Sequence, residues 1–183
     1  MQRTQLGQSG LGVPVFALGT APLARIPVEH GMQILQRAYE LGATWWDTSD
    51  DYGTHGLLAR VLPRYPRAEL TISTKSSVHS REEGEASIRQ ACFQLGTDSL
   101  DILFLHYVHD AEDFAQRQGF LDALREAKAR GTIRAIGLSS HLPDPLKLAA
   151  DHPDIDVVMA PWNVHGIMPS GGSFAEMVNA IQH

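Results

Sequence analysis

The chain has 183 residues, of which 43% are hydrophobic and 20% are charged. This composition is typical of a globular domain with a sizeable core, and it excludes an intrinsically disordered chain. The formal net charge of −6 is spread without long acidic or basic runs, so we expect no nucleic acid and no membrane as a partner. The polar N-terminal segment and the absence of a long apolar run predict a cytoplasmic protein.

The chain starts with two short segments, residues 4–6 and 10–13, that predict a hairpin. Beyond it, near-continuous apolar runs alternate with helical patterns, as in strands that are covered on both faces. The predicted strands are residues 15–19, 44–47, 70–75, 100–106, 133–139 and 157–163. Because no Pro/Ser-rich linker interrupts the series, we predict a single domain over residues 1–183.

Three predicted helices carry terminal signals. Gly42 follows the last turn of an amphipathic segment, where a glycine commonly ends a helix. Ser80 with Glu83, and Ser173 with Glu176, each fit a capping box at the start of a helix. The strands are therefore separated by helices with defined ends.

The ends of the predicted strands recur every 24 to 33 residues, which is the spacing of strand-helix units with right-handed crossovers. The predicted fold class is α/β, a TIM-type (β/α) barrel with about six of its eight strand-helix units, preceded by the hairpin. An open doubly wound sheet is the alternative, which periodicity alone does not exclude. No G-x-G-x-x-G sequence follows the first strand, so a Rossmann dinucleotide site is not expected.

Three successive predicted strands end in polar side chains. Asp47, Lys75 and His106 occupy these ends, and Tyr52 follows in the loop after Asp47. Taken alone, each residue has an ordinary structural explanation, such as capping a loop or packing in the core. In a (β/α) barrel, however, the C-terminal ends of the strands meet at one mouth. We therefore expect the four side chains to lie together.

The four residue types suit proton transfer to a carbonyl oxygen. An unperturbed tyrosine has a pKa of about 10, and a nearby ammonium lowers that pKa by favouring the phenolate. Lys75 would supply the ammonium, and Asp47 would hold Lys75 by a charge-assisted hydrogen bond. His106 would direct the carbonyl oxygen toward the phenol of Tyr52.

A metal-dependent hydrolase is an alternative chemistry for the same region. Its ligands would come from a set of clustered histidines and carboxylates, namely Asp47, Asp50, Asp51, His106, His109 and Asp110. The H-x-x-H-D spacing lies on a loop, and Lys75 would be a poor neighbour for a cation. We therefore expect no metal.

Several motifs resemble those of the aldo-keto reductases. The sequence D-T-S-D-D-Y-G at residues 47–53 resembles the D-T-A-x-x-Y-G motif of that family. G-T-I-R-A-I-G-L-S-S at residues 131–140 resembles its G-x-[IV]-R-x-I-G-V-S-N. Lys75 and His106 match its strand-three lysine and strand-four histidine. The resemblance runs in order from the N-terminal hairpin to about Asn163.

The resemblance implies an NADPH-dependent reductase of small-molecule aldehydes or ketones, in which hydride passes from the nicotinamide to the carbonyl carbon. Tyr52 would be the general acid, with Lys75 and Asp47 tuning its acidity. His106 would orient the carbonyl. The implied cofactor-binding residues are Thr20, Asp47, Ser139 and Ser140, and no metal is implied.

The chain departs from the family pattern at three positions near the mouth. Gly56 stands where many members have a glutamate, and Ser140 stands where an asparagine often binds the carboxamide. Met159 stands where a glutamine often completes that site. These differences predict looser nicotinamide binding than is usual.

The sequence also stops after the sixth predicted helix, before the seventh and eighth units of a complete barrel. In the family those units hold the pyrophosphate and the adenosine 2′-phosphate, so we expect weak NADPH binding and slow reduction. Exposed barrel edges predict a homo-oligomer. The alternative function is a non-catalytic partial-barrel relative that acts as an oligomeric or partner-binding protein.

Overall fold

The computed structural model describes residues 1–7, 9–163 and 173–181. Strands β1 (Arg3–Gln5) and β2 (Gly12–Pro14) form an antiparallel pair, which confirms the predicted hairpin. The remaining strands are β3 (Ala17–Gly19), β4 (Trp45–Asp47), β5 (Thr71–Ser76), β6 (Leu100–Leu105), β7 (Ile133–Ser139) and β8 (Val157–Met159). They form one six-stranded sheet in which every paired neighbour is parallel.

Helices alternate with these strands along the chain. They are α1 (Val28–Glu40), α2 (His55–Val61), α3 (Arg81–Leu95), α4 (Ala111–Gln116), α5 (Gln118–Ala129), α6 (Pro143–Ala150) and α7 (Phe174–Ile181). Short 3-10 turns cover Ala21–Arg25, Leu62–Arg64 and Arg67–Glu69. Within the described ranges, no helix has the length and apolar character needed to cross a membrane.

The order of strands in the large sheet is their order in the chain, from β3 through β8. A doubly wound sheet reverses its strand order at a switch point, whereas a barrel adds each strand beside the previous one. The observed order therefore excludes the doubly wound alternative. It confirms the predicted α/β class as a six-stranded parallel half-barrel with an N-terminal hairpin.

The outer strands are shorter than the sequence predicted. β3 starts at Ala17 because Val15 and Phe16 lie outside the ladder, each about half exposed. β8 ends at Met159, so residues 160–163 continue without strand pairing. The central strands β5 and β6 are buried along their whole length and match their predicted positions within one residue.

Two apolar layers cover the two faces of the sheet. On the outer face, residues such as Trp46, Ile72 and Leu103 pack with the helices. On the inner face, Ile102 and Phe104 pack with residues of the hairpin region. The hairpin thus covers the inner apolar face of the half-barrel, and the opposite end of the strands is left as a mouth.

One glycine makes room for the inner layer. Gly137 on β7 pairs with Phe104 on β6, and a Cβ atom at Gly137 would lie 2.2 Å from Cδ1 of Phe104. Any larger residue would therefore displace the ring or separate the strands. This close approach fixes β6 against β7, the two strands that lead to His106 and Ser139.

The helix ends follow the predicted signals. Ser80 and Glu83 form a complete capping box at the start of α3. Before α7, the amide of Ser173 donates to Glu176 Oε2 at 2.6 Å, and the amide of Glu176 donates to Ser173 Oγ at 3.3 Å. Gly42, which follows α1, has a φ of 80°, a value that glycine adopts without steric cost.

Candidate active site

Asp47 and Lys75 meet at the mouth because β4 and β5 are parallel neighbours with aligned ends. Asp47 is the last residue of β4, and Lys75 is the penultimate residue of β5. Lys75 Nζ donates to Asp47 Oδ2 at 2.5 Å and to the carbonyl of Thr48 at 2.7 Å. The lysine side chain is only 2% exposed, so the ion pair holds its charge in a nearly dry position.

Asp47 is itself held by Ser73, which is bound in turn by Trp45, and the sequence predicted neither of these hydrogen bonds. Ser73 Oγ donates to Asp47 Oδ1 at 2.7 Å and accepts from Trp45 Nε1 at 2.9 Å. Trp45 and Ser73 each lie two residues before Asp47 and Lys75 on the same strands, so alternation turns all four toward the inner face. That period of two is the signal by which the sequence could have identified them.

Tyr52 and His106 lie beside this ion pair. Lys75 Nζ is 4.8 Å from the ring centroid of Tyr52, over the face of the ring. The rings of Tyr52 and His106 have centroids 6.0 Å apart in an edge-to-face arrangement. The structure therefore brings together the four side chains that were predicted to share one mouth.

The acidity of Tyr52 differs from the sequence expectation. Burial, and then the negative charges of Asp47 and Asp51, raise the pKa of Tyr52 to about 12. The expected net lowering of this pKa is wrong for this state of the protein, because burial and the two carboxylates dominate the surroundings of the phenol. The phenol is therefore neutral and carries its proton throughout the physiological range.

His106 is held through its Nδ1 atom. Its Nδ1 hydrogen bonds with Ser49 Oγ at 3.2 Å and lies 3.8 Å from Asp51 Oδ1. Burial lowers the pKa of His106 below its usual value, opposed by Asp51 and assisted by the positive charge of Lys75. The imidazole is therefore neutral at neutral pH, and it can donate or accept a hydrogen bond but carries no charge.

A cavity of about 170 Å³ opens above these side chains. The cavity is lined by nine residues, namely Tyr52, Lys75, His106, Tyr107, Ser139, His141, Met159, Ala160 and Pro161. A larger surface groove of about 710 Å³ runs along α3 beside Phe93. The smaller cavity is the better candidate for chemistry, because the phenol, the ammonium and the imidazole all face it.

The predicted cofactor residues occupy different positions relative to this cavity. Ser139 lines the cavity, and its Oγ accepts from the amide of Tyr107 at 3.0 Å. Ser140 is buried and donates to the carbonyl of Val108 at 2.7 Å. Thr20 is fully buried and donates to the carbonyl of Asp47 at 2.9 Å. Ser140 and Thr20 thus join neighbouring strand ends, and Ser139 reaches the cavity.

The hydrolase alternative is only partly assembled. Among the described residues, Asp50, Asp51 and His106 place ligand atoms within 4.8 Å of one another, with both carboxylates exposed. Asp47 is instead bound to Lys75 and Ser73. Asp110 caps α4 by accepting from the amide of Asp113. Two of the ligands that the hydrolase alternative requires, Asp47 and Asp110, are therefore engaged in other contacts.

The sequence has curated relatives with carbonyl-related activities. It is 27% identical over 190 residues to a D-threo-aldose 1-dehydrogenase of a Pseudomonas species, covering 82% of this chain and 57% of the relative. It is 28% identical over 134 residues to the methylglyoxal reductase DkgB of Escherichia coli O157:H7, covering 71% and 49%. The chain thus spans about half the length of the curated relatives it matches.

The fold is shared with solved reductases. A structure of a Bombyx mori aldo-keto reductase in complex with NADP matches 99% of this chain and 62% of its own, at 18% identity and a TM-score of 0.77. At that identity the likeness concerns the fold alone. The sequence model of a protein family described as "Aldo/keto reductase family" matches residues 15–167, which is most of the sequence. The chain is therefore a member of the aldo/keto reductase family.

Proposed function

We propose that this chain reduces aldehyde or ketone carbonyls with NADPH, with Tyr52 as the proton donor. The observation that carries the proposal is the buried ammonium of Lys75, bound to Asp47 at 2.5 Å and 4.8 Å from the ring of Tyr52, at one cavity. The names of the two relatives, an aldose dehydrogenase and a methylglyoxal reductase, support small carbonyl compounds as the substrate class.

The protonation states of Tyr52 and His106 suit carbonyl reduction. A pKa raised to about 12 keeps the phenol of Tyr52 protonated, so the donor is present before the reaction. When the proton moves to the carbonyl oxygen, a phenolate remains beside Lys75. The ammonium stabilises that phenolate by charge, and this interaction strengthens only as negative charge develops. The neutral His106 would hold the carbonyl oxygen near Tyr52 by a hydrogen bond.

NADPH, when bound, supplies the hydride. The chemistry of the cavity lining fits the nicotinamide end of this molecule, because Met159, Ala160 and Pro161 offer apolar contact for a flat ring. The hydroxyl of Ser139 offers a polar contact at the same cavity. Ser140, Thr20 and Asp47 would contribute by holding the strand ends in place.

The test is the oxidation of NADPH followed by absorbance, with methylglyoxal and an aromatic aldehyde as substrates. Tyr52→Phe should reduce turnover by about 10²- to 10⁴-fold, the usual contribution of a positioned general acid. Tyr65→Phe is the matched control, because Tyr65 stacks on Tyr39 away from the cavity. Wild-type turnover that survives in Tyr52→Phe would overturn the proposal.

A second candidate is a non-catalytic protein that associates through its sheet edges. It is favoured by the exposed aromatic residues that flank the outermost strands, Phe16 before β3 and Trp162 after β8, at 53% and 60% exposure. Exposed strand edges beside apolar side chains promote pairing with another chain. Sedimentation that gives a dimer or larger species, with no NADPH-dependent turnover, would favour this function over reduction.

A further inference from the structure

The loop that follows β6 has an unusual backbone next to His106. Tyr107 has a φ of 53°, the one positive φ among the non-glycine residues that the structure describes. A bulky side chain in this region of backbone space costs free energy, so surrounding contacts must hold it. On one side, β7 does so: the amide of Tyr107 donates to Ser139 Oγ at 3.0 Å, and the amide of Val108 donates to the Ser139 carbonyl at 2.9 Å.

A partly buried ion pair holds the other side of the same loop. Arg117, between α4 and α5, is 4% exposed at its side chain and binds Asp113 with two nitrogens, at 2.7 and 2.9 Å. Its third contact is from Nη1 to the carbonyl of His106, at 2.9 Å. Asp113 Oδ2 also accepts from the amide of His109 at 2.9 Å. The pair therefore contacts both ends of the turn that contains Tyr107.

The charge state of Asp113 matches this arrangement. Burial alone would raise the pKa of Asp113, but hydrogen bonds from Arg117 and from the His109 amide, together with the Arg117 charge, outweigh burial and lower it. An ion pair that is partly removed from water contributes little net stability, because the cost of desolvating the charges offsets their attraction. The main effect of the pair of Arg117 and Asp113 is therefore expected from its hydrogen bonds to the turn.

We infer that Arg117 and Asp113 are positioning residues that hold the turn 106–109 and thereby fix the ring of His106 at the cavity. The inference rests on the proposed function for the part that His106 plays in reduction. The planar guanidinium of Arg117 is required, because it reaches the carboxylate and the carbonyl at the same time, whereas a lysine ammonium is a single point of charge. The substitution Arg117→Lys therefore keeps the charge and removes the geometry.

The first measurement is the titration of His106, followed by NMR through its imidazole protons and assigned with His106→Gln. Burial is the main reason why the pKa of His106 is low, so a loosened turn that admits water should move the pKa up toward its usual value. The charged groups that face the ring, Asp51, Lys75, Asp50 and Asp47, are unchanged in the variant.

Arg125→Lys is the matched control for this titration. Arg125 lies on α5 and binds Asp154 through two nitrogens, at 2.9 and 2.7 Å, with no contact to the turn. It should leave the His106 titration as in wild type. If Arg117→Lys does not fold, Asp113→Asn provides the same comparison, since it keeps an acceptor oxygen for the His109 amide and loses the charge.

The second measurement is steady-state reduction. A displacement of a substrate-orienting group by about 1 Å can cost about 10²-fold in rate, so kcat should fall strongly in Arg117→Lys while KM for NADPH stays near wild type. An unchanged His106 titration together with unchanged kcat would overturn the inference. A wild type without Tyr52-dependent turnover would instead overturn the proposed function, and the titration would still decide the role of Arg117.

Discussion

Two buried aspartates lie at opposite ends of the half-barrel, and they are bound in different ways. Asp101, near the start of β6, accepts from Arg67 and Arg134 at 2.8 Å each and from the backbone amide of Ile72 at 2.8 Å. Asp47, at the end of β4, is bound to the ammonium of Lys75 and the hydroxyl of Ser73.

The two aspartates differ in the exposure of the positively charged side chains that bind them. The two arginine side chains that bind Asp101 are 33% and 56% exposed, and Arg67 also binds the carbonyls of Leu70 and Ser99. That network joins the starts of neighbouring strands. Lys75 is 2% exposed and lies below a cavity shared with Tyr52. The ion pairs of Asp101 thus connect the starts of the strands, whereas the ion pair of Asp47 lies at the strand ends that form the mouth.

The largest expected effect comes from Lys75→Met. It leaves the carboxylate of Asp47 buried without its cation, which should cost about 3 to 5 kcal/mol of unfolding free energy. It should also lower Tyr52-dependent turnover by about 10²-fold or more. Denaturant unfolding and NADPH oxidation measure the two effects. Lys128→Met, which breaks a partly exposed pair with Asp156, is the control and should leave turnover per folded molecule unchanged.

Asp101→Asn should separate stability from activity. The variant loses the charge that holds two arginines and weakens the bond to the Ile72 amide, so we expect a loss of about 1.5 to 3 kcal/mol and a lower Tm. Turnover per folded molecule, measured well below the Tm, should stay close to wild type. A large loss of turnover in the folded variant would show that Asp101 affects the reaction as well as the stability of the fold.

A third effect concerns pH. The pKa of Tyr52 is raised from 10.0 to about 12, so an unfolded chain would release this proton before the folded chain does. The contribution of Tyr52 to stability is therefore complete below pH 10 and is lost as pH rises toward about 12. Ultraviolet titration of phenolate should show a late-ionising tyrosine that disappears in Tyr52→Phe. A Tyr52 that ionises at or below its usual pKa would contradict the assigned electrostatics.

The smallest expected effect comes from Ser73→Ala. It removes one hydrogen bond from Asp47 and one partner from Trp45, at a cost of about 1 kcal/mol. The ion pair with Lys75 remains, so turnover should fall much less than in Lys75→Met. Equal losses in the two variants would mean that the orientation of Asp47, and not the ammonium, governs the reaction.

Much of this architecture is predictable from local patterns. Apolar runs separated by helical segments identify the strands, and the residues that end them, such as Asp47 and His106, follow from barrel geometry. Helix α4 was missed because it has six residues and a mostly polar sequence without an apolar stripe. The length of β8 was overestimated because an apolar run does not reveal where its ladder partner ends.

The supporting contacts of the site are less accessible to sequence reasoning. Ser73 lies 26 residues from Asp47, and Arg117 lies 11 residues from His106. The period of two places Ser73 on the inner face, but no local pattern identifies the hydrogen-bond partner of either residue. The direction of the Tyr52 pKa shift also depends on the folded structure, because burial is its main cause and the charges of Asp47 and Asp51 add to it. Neither the burial of the ring nor its distances to the two carboxylates can be read from the sequence.

The order of the strands in the large sheet has a consequence for biosynthesis. Each strand from β4 to β8 pairs with the strand that precedes it in the chain, so its template has already left the ribosome when the strand emerges. Pairing then closes only one helix-length of chain at a time, which keeps the entropic barrier for each addition small. The half-barrel can therefore assemble from the N-terminus during translation, whereas the apolar contacts of the hairpin region form only after β6, β7 and β8 have emerged.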